Sequence, residues 1–361
     1  MTWPNMGATS ALRQTLAAEI DTGQSSKWLS AFGEVPRHHF TPTFFRQDAR
    51  GDWNEVTWGD PGYLETVYSN TALTTQLDEH GIPTSSSSEP ALMLAMLDAL
   101  DVESGDTVFE LGTGTGYNAA LLAYRLGPEN VTTMDVDPEL VTRASDRLST
   151  HGQKPLVIAG DGALGYSARA PYSRIIATAA LRCIPPALLN QASVGAVIVA
   201  PIGFGVARVT VTAPGHATGR FLPTPAHFMP RRTPGTAPDF AALTNQPATH
   251  NVLRVPDALD RLKFPMSLAL PGYNSCSWRD EGGNLSGIGL WTDDGSIALA
   301  DAAGRVRQTG PRRLWDAITE LAEIFPHGAP ARDDFGLTIA PAHQSVWYRE
   351  QGGPCWTLAT T

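Results

Sequence analysis

The sequence predicts an α/β fold: a doubly wound, Rossmann-like parallel sheet, preceded by an N-terminal helical segment and followed by a small C-terminal α+β domain. Three observations carry this. Strand-like and helix-like segments alternate strictly between residues 107 and 200. A glycine-rich turn, Gly112-Thr113-Gly114-Thr115-Gly116, joins the first of those strands to its helix. After Phe228 the pattern breaks into a proline-rich stretch and then short strands with turn residues between them.

Residues 10–32 read as an amphipathic helix and its exit, with Leu12, Leu16, Ile20 and Leu29 on helical spacing. Residues 48–75 show no clear period and read as a loop-rich cap, a length more often functional than idle. Ser88 suits an N-cap, Glu89 and Pro90 a first turn, and Ala91 to Leu100 is apolar nearly all round, which predicts a buried helix. Strands are expected at 107–111, 131–135, 156–159, 174–177 and 196–200, with helices at 117–126 and from Asp137-Pro138 to about His151. The apolar run 194–211 reads as two buried strands and a turn, because Pro201, Gly203, Gly205 and Arg208 interrupt it. Further on, 287–291 and 296–300 flank the turn Asp293-Asp294-Gly295, Pro311 opens a helix, and three short strands follow at 335–339, 345–348 and 355–358. The expected domains are a cap at 1–85, a catalytic domain at 86–230, a linker at 231–250 and a C-terminal domain at 251–361.

Composition narrows the function classes. At 361 residues, 42% hydrophobic and 17% charged, the chain can bury a substantial core. A net charge of −10 argues against a nucleic-acid partner. Cys183, Cys276 and Cys355 are far apart, and the nine histidines have no ligand spacing, so neither a disulfide framework nor a metal site is expected. The first residues lack the basic and apolar regions of a signal peptide and no stretch suits a membrane span, so the expected location is the cytoplasm. His38 and His39 read as structural. Trp278, Trp291, Trp347 and Trp356 read as core of the small domain.

The glycine turn lets a ligand approach the backbone, but Gly114-x-Gly116-x-x-Ala119 also fits a loose dinucleotide pattern. Three acids separate the alternatives. Glu110 ends the first strand, where an anion suits a cofactor carrying an ammonium and a sulfonium and opposes a pyrophosphate. Asp135 ends the second strand nineteen residues after Gly116, placed to accept ribose hydroxyls, with Val136 beside it. Gly160-Asp161-Gly162 follows the third, where Asp161 can meet the adenine amino group. The set implies S-adenosylmethionine, leaving as S-adenosylhomocysteine, with Glu110, Gly112, Thr113, Gly114, Gly116, Tyr117, Asp135, Val136, Gly160, Asp161 and Gly162 around it.

Five segments together resemble the protein-L-isoaspartate O-methyltransferase family over residues 10–230. They are Val35-Pro36-Arg37-His38-His39-Phe40, Ser86-Ser87-Ser88-Glu89-Pro90, Glu110 to Tyr117, Gly160-Asp161-Gly162, and Tyr172 to Ala180. The resemblance implies that Ser88 is the active-site serine and that the strand-end acids bind the cofactor. Two positions depart from it: Ser87 replaces an apolar residue, and Glu89 stands where bacterial repair enzymes often have Gln. With the extension beyond Arg231 and Arg232, these resemble members that act on ribosomally synthesised, post-translationally modified peptides (lanthipeptide or graspetide type). Such an enzyme esterifies one aspartate of a cyclised precursor peptide, and the ester collapses to a succinimide (aspartimide), which can open to isoaspartate.

A carboxylate is ionised at neutral pH and needs no general base. Neutral hydroxyl donors suit it, which points to Ser88 with Ser86, Ser87 or Thr178 as substrate contacts, and Arg231 and Arg232 for acidic peptide. Repair of L-isoaspartyl proteins is the enzymatic alternative, and a non-catalytic peptide-binding module the alternative outside enzymes. The extension favours a dedicated substrate, since repair requires only the catalytic domain.

Overall fold

Each strand that the alternation predicts is present, and so is a second sheet that it does not predict. The computed structural model describes residues 9–23, 26–228, 238, 240–243, 247–250 and 255–358. Arg231 and Arg232 lie outside them. In chain order the elements begin with helices α1 (Ser10–Ile20), α2 (Leu29–Glu34) and α3 (Arg37–Phe40) and strands β1 (Thr43–Gln47) and β2 (Trp53–Thr57). Next come α4 (Tyr63–Val67), β3 (Leu73–Leu77), β4 (Pro83–Ser87), α5 (Pro90–Leu100) and β5 (Val108–Leu111). The alternating part continues with α6 (Tyr117–Leu126), β6 (Val131–Asp135), α7 (Pro138–Thr150), β7 (Leu156–Ala159) and β8 (Tyr172–Ala177). It closes with α8 (Pro186–Gln191), β9 (Ala192–Ile202), β10 (Gly205–Ala213) and β11 (His216–Pro225). The last third holds β12 (Thr249–His250), α9 (Val255–Ala269), β13 (Asn274–Arg279), β14 (Leu285–Trp291), β15 (Ile297–Asp301) and β16 (Arg305–Thr309). It ends with α10 (Leu314–Ile324), β17 (Phe335–Ala340), β18 (His343–Tyr348) and β19 (Cys355–Leu358).

Two compact units result: Met1–Ala180 with Ile184–Pro201 and Arg208–Thr218, and Leu181–Cys183 with Ile202–Ala207 and Gly219–Thr361. This division runs differently from a single boundary at 230, because it follows spatial contact and not chain order. The expected linker is also partly structured. Thr249 and His250 pair antiparallel with Val306 and Arg305, and the Phe240 ring lies 5.2 Å from that of Trp278.

The first unit is built on parallel strands in the order β7-β6-β5-β8-β9. Chain order reverses on the two sides of β5, so a crevice opens at the carboxyl ends of β5 and β8, where such sheets bind ligands. Strand β5 has all four residues buried, as expected of a strand covered on both faces. Helix α5 is apolar on almost every side, and Leu94, Met96, Leu97 and Leu100 are buried. Burying each such side chain contributes about 1.5–3 kcal/mol. Its N-cap position is Glu89, without a side-chain bond, and not Ser88. The capping contact comes from a distance instead, as the Ala91 amide donates to Asn70 Oδ1 at 2.9 Å.

The expected loop-rich cap contains an antiparallel sheet in the order β2-β1-β3-β4. Its strands are short and rich in Thr and Ser, and β4 has no aliphatic residue, so alternation does not reveal it. Pairing does: Leu73 opposes Ser87 and Thr74 opposes Ser86.

The second unit contains the antiparallel order β12-β16-β15-β14-β13 and the antiparallel neighbours β17, β18 and β19. The Asp293–Gly295 turn adopts the expected hairpin, with Gly295 at φ 83°. Leu314, Ile318 and Leu321 of α10 are buried as a stripe. Helix α9 has no counterpart in the sequence-based expectation and runs through Pro265, a residue that usually kinks a helix. Trp347 is buried as expected, whereas Trp278 on edge strand β13 is 39% exposed.

Candidate active site

Two loops of the first unit meet at the carboxyl ends of the parallel strands. One is the glycine turn after β5. Gly112 has φ 100°, and a Cβ there would stand 2.7 Å from Thr178 Oγ1. Gly116 has φ 85° and opens α6, with the Ala144 methyl 3.1 Å from where a Cβ would be. Side chains at these two positions would strain the turn and push it off the sheet.

The strand-end acids are arranged around that turn. Glu110 is fully buried, and its carboxylate accepts from Asn118 Nδ2 at 2.7 Å and Thr133 Oγ1 at 2.6 Å. Thr113 is drawn into the same network, its hydroxyl 2.7 Å from that of Thr133. Burial pushes the Glu110 carboxyl up to about 7, partly offset by those two donors. Asp135 accepts from the Gly114 amide at 2.8 Å and the Asp137 amide at 3.1 Å, and burial raises it too. Neither acid forms an ion pair among the described residues. A fully buried acid and a half-buried one, neither paired with a cation among the described residues, fit a positively charged cofactor, and they oppose a pyrophosphate.

Asp161 accepts from the Ala163 amide at 3.0 Å and begins a short 3-10 turn over Gly162–Leu164. Gly160 ties its amide to the Asp135 carbonyl at 2.8 Å, so the ends of β6 and β7 stay adjacent. Gly162 packs where a Cβ would be 2.7 Å from Leu111. Val136 and Leu164 follow those two strands as exposed apolar side chains, 65% and 68% exposed, and would suit an apolar part of the cofactor. Leu164 is absent from the sequence-based set, since nothing but its exposure singles it out. Tyr117 differs from expectation in the opposite way. Its ring is buried against Phe40, with centroids 5.8 Å apart, and only its backbone faces the turn.

The second loop is the serine strand. Strand alternation splits the run into two sets. Ser85 and Ser87 are buried, and their hydroxyls accept from Thr75 Oγ1 at 3.3 Å and Arg37 Nε at 3.2 Å. Ser86 and Ser88 are partly exposed, and their hydroxyls make no hydrogen bond among the described residues. A Cβ on Gly114 would lie 3.7 Å from Ser85 Oγ and from the Ser86 carbonyl, so the serine strand passes over the glycine turn. Gln76 Nε2 on the neighbouring strand donates to Asp137 Oδ2 at 2.9 Å and ties the strand pair to the β6–α7 loop.

Of the proposed substrate contacts, the structure therefore leaves Ser88 and Ser86 uncommitted. Ser87 is turned inward. Thr178 donates its hydroxyl to the Gly112 carbonyl at 2.6 Å, which locks the glycine turn and removes that proton from a substrate. Arg37, which the sequence offers only as part of a motif, is buried beneath the serine strand. Among the described residues there is no group of side chains suited to a metal ion and no helix long and apolar enough to cross a membrane.

The family model described as protein-L-isoaspartate(D-aspartate) O-methyltransferase (PCMT) matches residues 11–214. A protein-L-isoaspartate O-methyltransferase of Ignicoccus hospitalis is 41% identical over 143 residues, 38% of this chain and 68% of that protein. Protein-L-isoaspartate O-methyltransferase 1 of Archaeoglobus fulgidus is 36% identical over 195 residues, 53% of this chain and 79% of that protein. A solved structure titled protein-L-isoaspartate O-methyltransferase shares the fold at TM-score 0.54 and 19% identity, covering 91% of this chain and 96% of that one. With its family model spanning more than half of the chain, this protein belongs to the protein-L-isoaspartate(D-aspartate) O-methyltransferase family and is an S-adenosylmethionine-dependent carboxyl methyltransferase.

Proposed function

We propose that the chain methylates the free carboxylate of L-isoaspartyl residues in peptides and proteins. The observation that carries this reading is the family match over the catalytic unit, whose serine strand passes over the glycine turn and leaves the Ser88 hydroxyl uncommitted among the described residues. The bound cofactor supplies an electrophilic methyl group on a positively charged sulfur.

The remaining work falls to the protein. A carboxylate with a pKa near 4 is already a nucleophile at neutral pH, so no base is required. Ser88, with Ser86, supplies neutral donors that orient it without neutralising it. A cation paired tightly with the carboxylate would stabilise the ground state more than the transition state, where its charge is disappearing. Orientation of this kind can contribute about 7–11 kcal/mol. Glu110 would offset the cofactor's positive charge, and Asp135 would accept from its ribose hydroxyls. The methyl ester then loses methanol as the following backbone nitrogen attacks it, and the resulting succinimide hydrolyses in part to normal aspartate.

A second reading, a dedicated peptide-maturation enzyme acting on one aspartate of a cyclised ribosomal peptide, draws on Ser87 and Glu89. Glu89 places a carboxylate next to Ser88, accepting from Asn70 Nδ2 at 3.4 Å. The C-terminal extension does not favour this reading, because a solved structure titled as a protein-L-isoaspartate O-methyltransferase matches 91% of the chain, well beyond the catalytic region.

Transfer of labelled methyl to an isoaspartyl peptide, to its aspartyl isomer and to a cyclised precursor peptide separates the readings. Methylation of the isoaspartyl peptide, with its isomer left untouched, is the expected result. Labelling of the precursor alone would establish the maturation reading. No labelling of any peptide, together with a melting temperature that cofactor does not raise, would reduce the chain to a binding module.

A further inference from the structure

We propose that Arg37 is the positioning residue of this active site: its guanidinium fixes the backbone that presents the Ser88 hydroxyl to the substrate carboxylate. The inference rests on the methyl-transfer reading above.

Arg37 is completely buried at the start of α3, fifty-one residues from Ser88 in sequence. Its five N–H groups serve six acceptors on two chain segments. Nη1 donates to the carbonyls of Val67 at 2.9 Å and Ser69 at 3.2 Å, and Nη2 donates to that of Thr71 at 2.9 Å. Nη2 also reaches the carbonyls of Ser87 at 3.1 Å and Ser88 at 3.0 Å, while Nε meets Ser87 Oγ at 3.2 Å. With its carbonyl turned down onto the guanidinium, the Ser88 peptide plane is fixed. The Ser88 hydroxyl is partly exposed and makes no hydrogen bond among the described residues, so it is left for the substrate carboxylate.

This arrangement is costly for a purely structural clip. No acid pairs with Arg37 among the described residues, and burial lowers its guanidinium to about 10, still charged at neutral pH. A buried ion without a counterion is seldom the most stable filling of such a space. What a guanidinium adds is a planar fork that spans several acceptors at fixed angles, which a lysine ammonium cannot reproduce. The second segment it grips, 67–71, also carries Asn70, whose side chain caps α5 immediately after Ser88. One side chain thereby holds both the Ser87–Ser88 backbone and the segment that caps α5.

A double-mutant cycle tests this with the full-length chain and an isoaspartyl peptide. Arg37→Lys is expected to lower kcat by about 10–100-fold, with the peptide KM and the cofactor Kd within about twofold of wild type. Ser87→Ala, which removes only the Nε acceptor, is expected to lower kcat by about three- to tenfold and keeps the question answerable if Arg37→Lys does not fold. Added to Ser88→Ala, either change should cost little more, because Arg37 acts through Ser88. Losses that multiply with Ser88→Ala, wild-type kcat in a variant of lowered Tm, or a parallel loss of cofactor affinity would overturn the inference. A wild type that methylates no peptide would sink the methyl-transfer reading, and the inference with it.

Discussion

The two units of this chain differ in how they carry charge. The first carries twelve Lys and Arg against twenty-two Asp and Glu, and the second fourteen against fourteen, so the whole net charge of −10 belongs to the first. In the second unit the acids that shift are held low by local partners. Asp294 bonds Thr292, Ser296 and Arg312, and Asp301 bonds Arg305. In the first unit Asp48, Asp60 and Asp137 are likewise held low by local hydrogen bonds, but Glu110, Asp135 and Arg37 have no counterion among the described residues, and burial pushes each toward its neutral form. Pairing charges locally serves the fold, whereas burying them singly costs the fold and suits a site that a ligand's charge completes. The contrast separates a unit organised for binding from one organised for its own structure.

The most forceful way to break this comparison is Glu110→Gln. If the unpaired carboxylate serves the cofactor's positive charge, the variant should bind S-adenosylmethionine about 10–100-fold more weakly by calorimetry. Wild-type affinity should also fall as pH drops below about 7, by up to tenfold per unit, because a protonated Glu110 must lose its proton on binding. In Glu110→Gln that dependence should vanish. The sign for stability is opposite to the usual carboxylate. Its folded pKa is raised from 4.5 to about 7, so the stabilisation present at low pH is lost as pH rises through that range. The ligand-free variant should therefore be at least as stable as wild type at pH 8. A variant with unchanged affinity would remove Glu110 from the site.

A histidine cluster sharpens the comparison from the stability side. His38 Nδ1 lies 2.5 Å from the Tyr68 hydroxyl, and His39 bonds His151. Burial, then the neighbouring histidine, lowers His38 from 6.5 to about 3 and His39 to about 4. Depressed groups of this kind contribute stability that is intact above 6.5 and lost as pH falls toward the folded values. The first unit should lose up to about 1.4 kcal/mol per pH unit through His38 alone between pH 6.5 and 4, seen as a falling urea midpoint. An unchanged midpoint at pH 5 would mean that the cluster opens to solvent.

Two smaller effects complete the set. Gln76→Ala removes the bond from β3 to Asp137, so S-adenosylhomocysteine should leave about two- to fivefold faster in stopped-flow release. In the second unit, Arg312→Ala breaks a surface pair with Asp294 at 2.6 Å and should cost under about 1 kcal/mol by thermal unfolding, with kcat unchanged. A larger loss there would mean that the second unit also depends on individual charges.

The sequence by itself determined the parallel core and the cofactor. Alternating apolar segments, a glycine turn and acids at three successive strand ends depend only on residues close together in the chain, and local spacing is what a sequence displays. The family followed from the same short segments. What only the tertiary structure decided is which member of each polar group is free to act. Four consecutive serines look alike in the chain, yet β4 pairing with β3 turns Ser85 and Ser87 inward and leaves Ser86 and Ser88 outward. Asn70 caps a helix that Ser88 was expected to cap, Thr178 spends its proton on Gly112, and Tyr117 faces the core. Arg37 reaches Ser88 across fifty-one residues. Orientation and partnership of this kind are set by which distant backbone groups must be satisfied once water is excluded, and that is settled only when the chain has closed on itself.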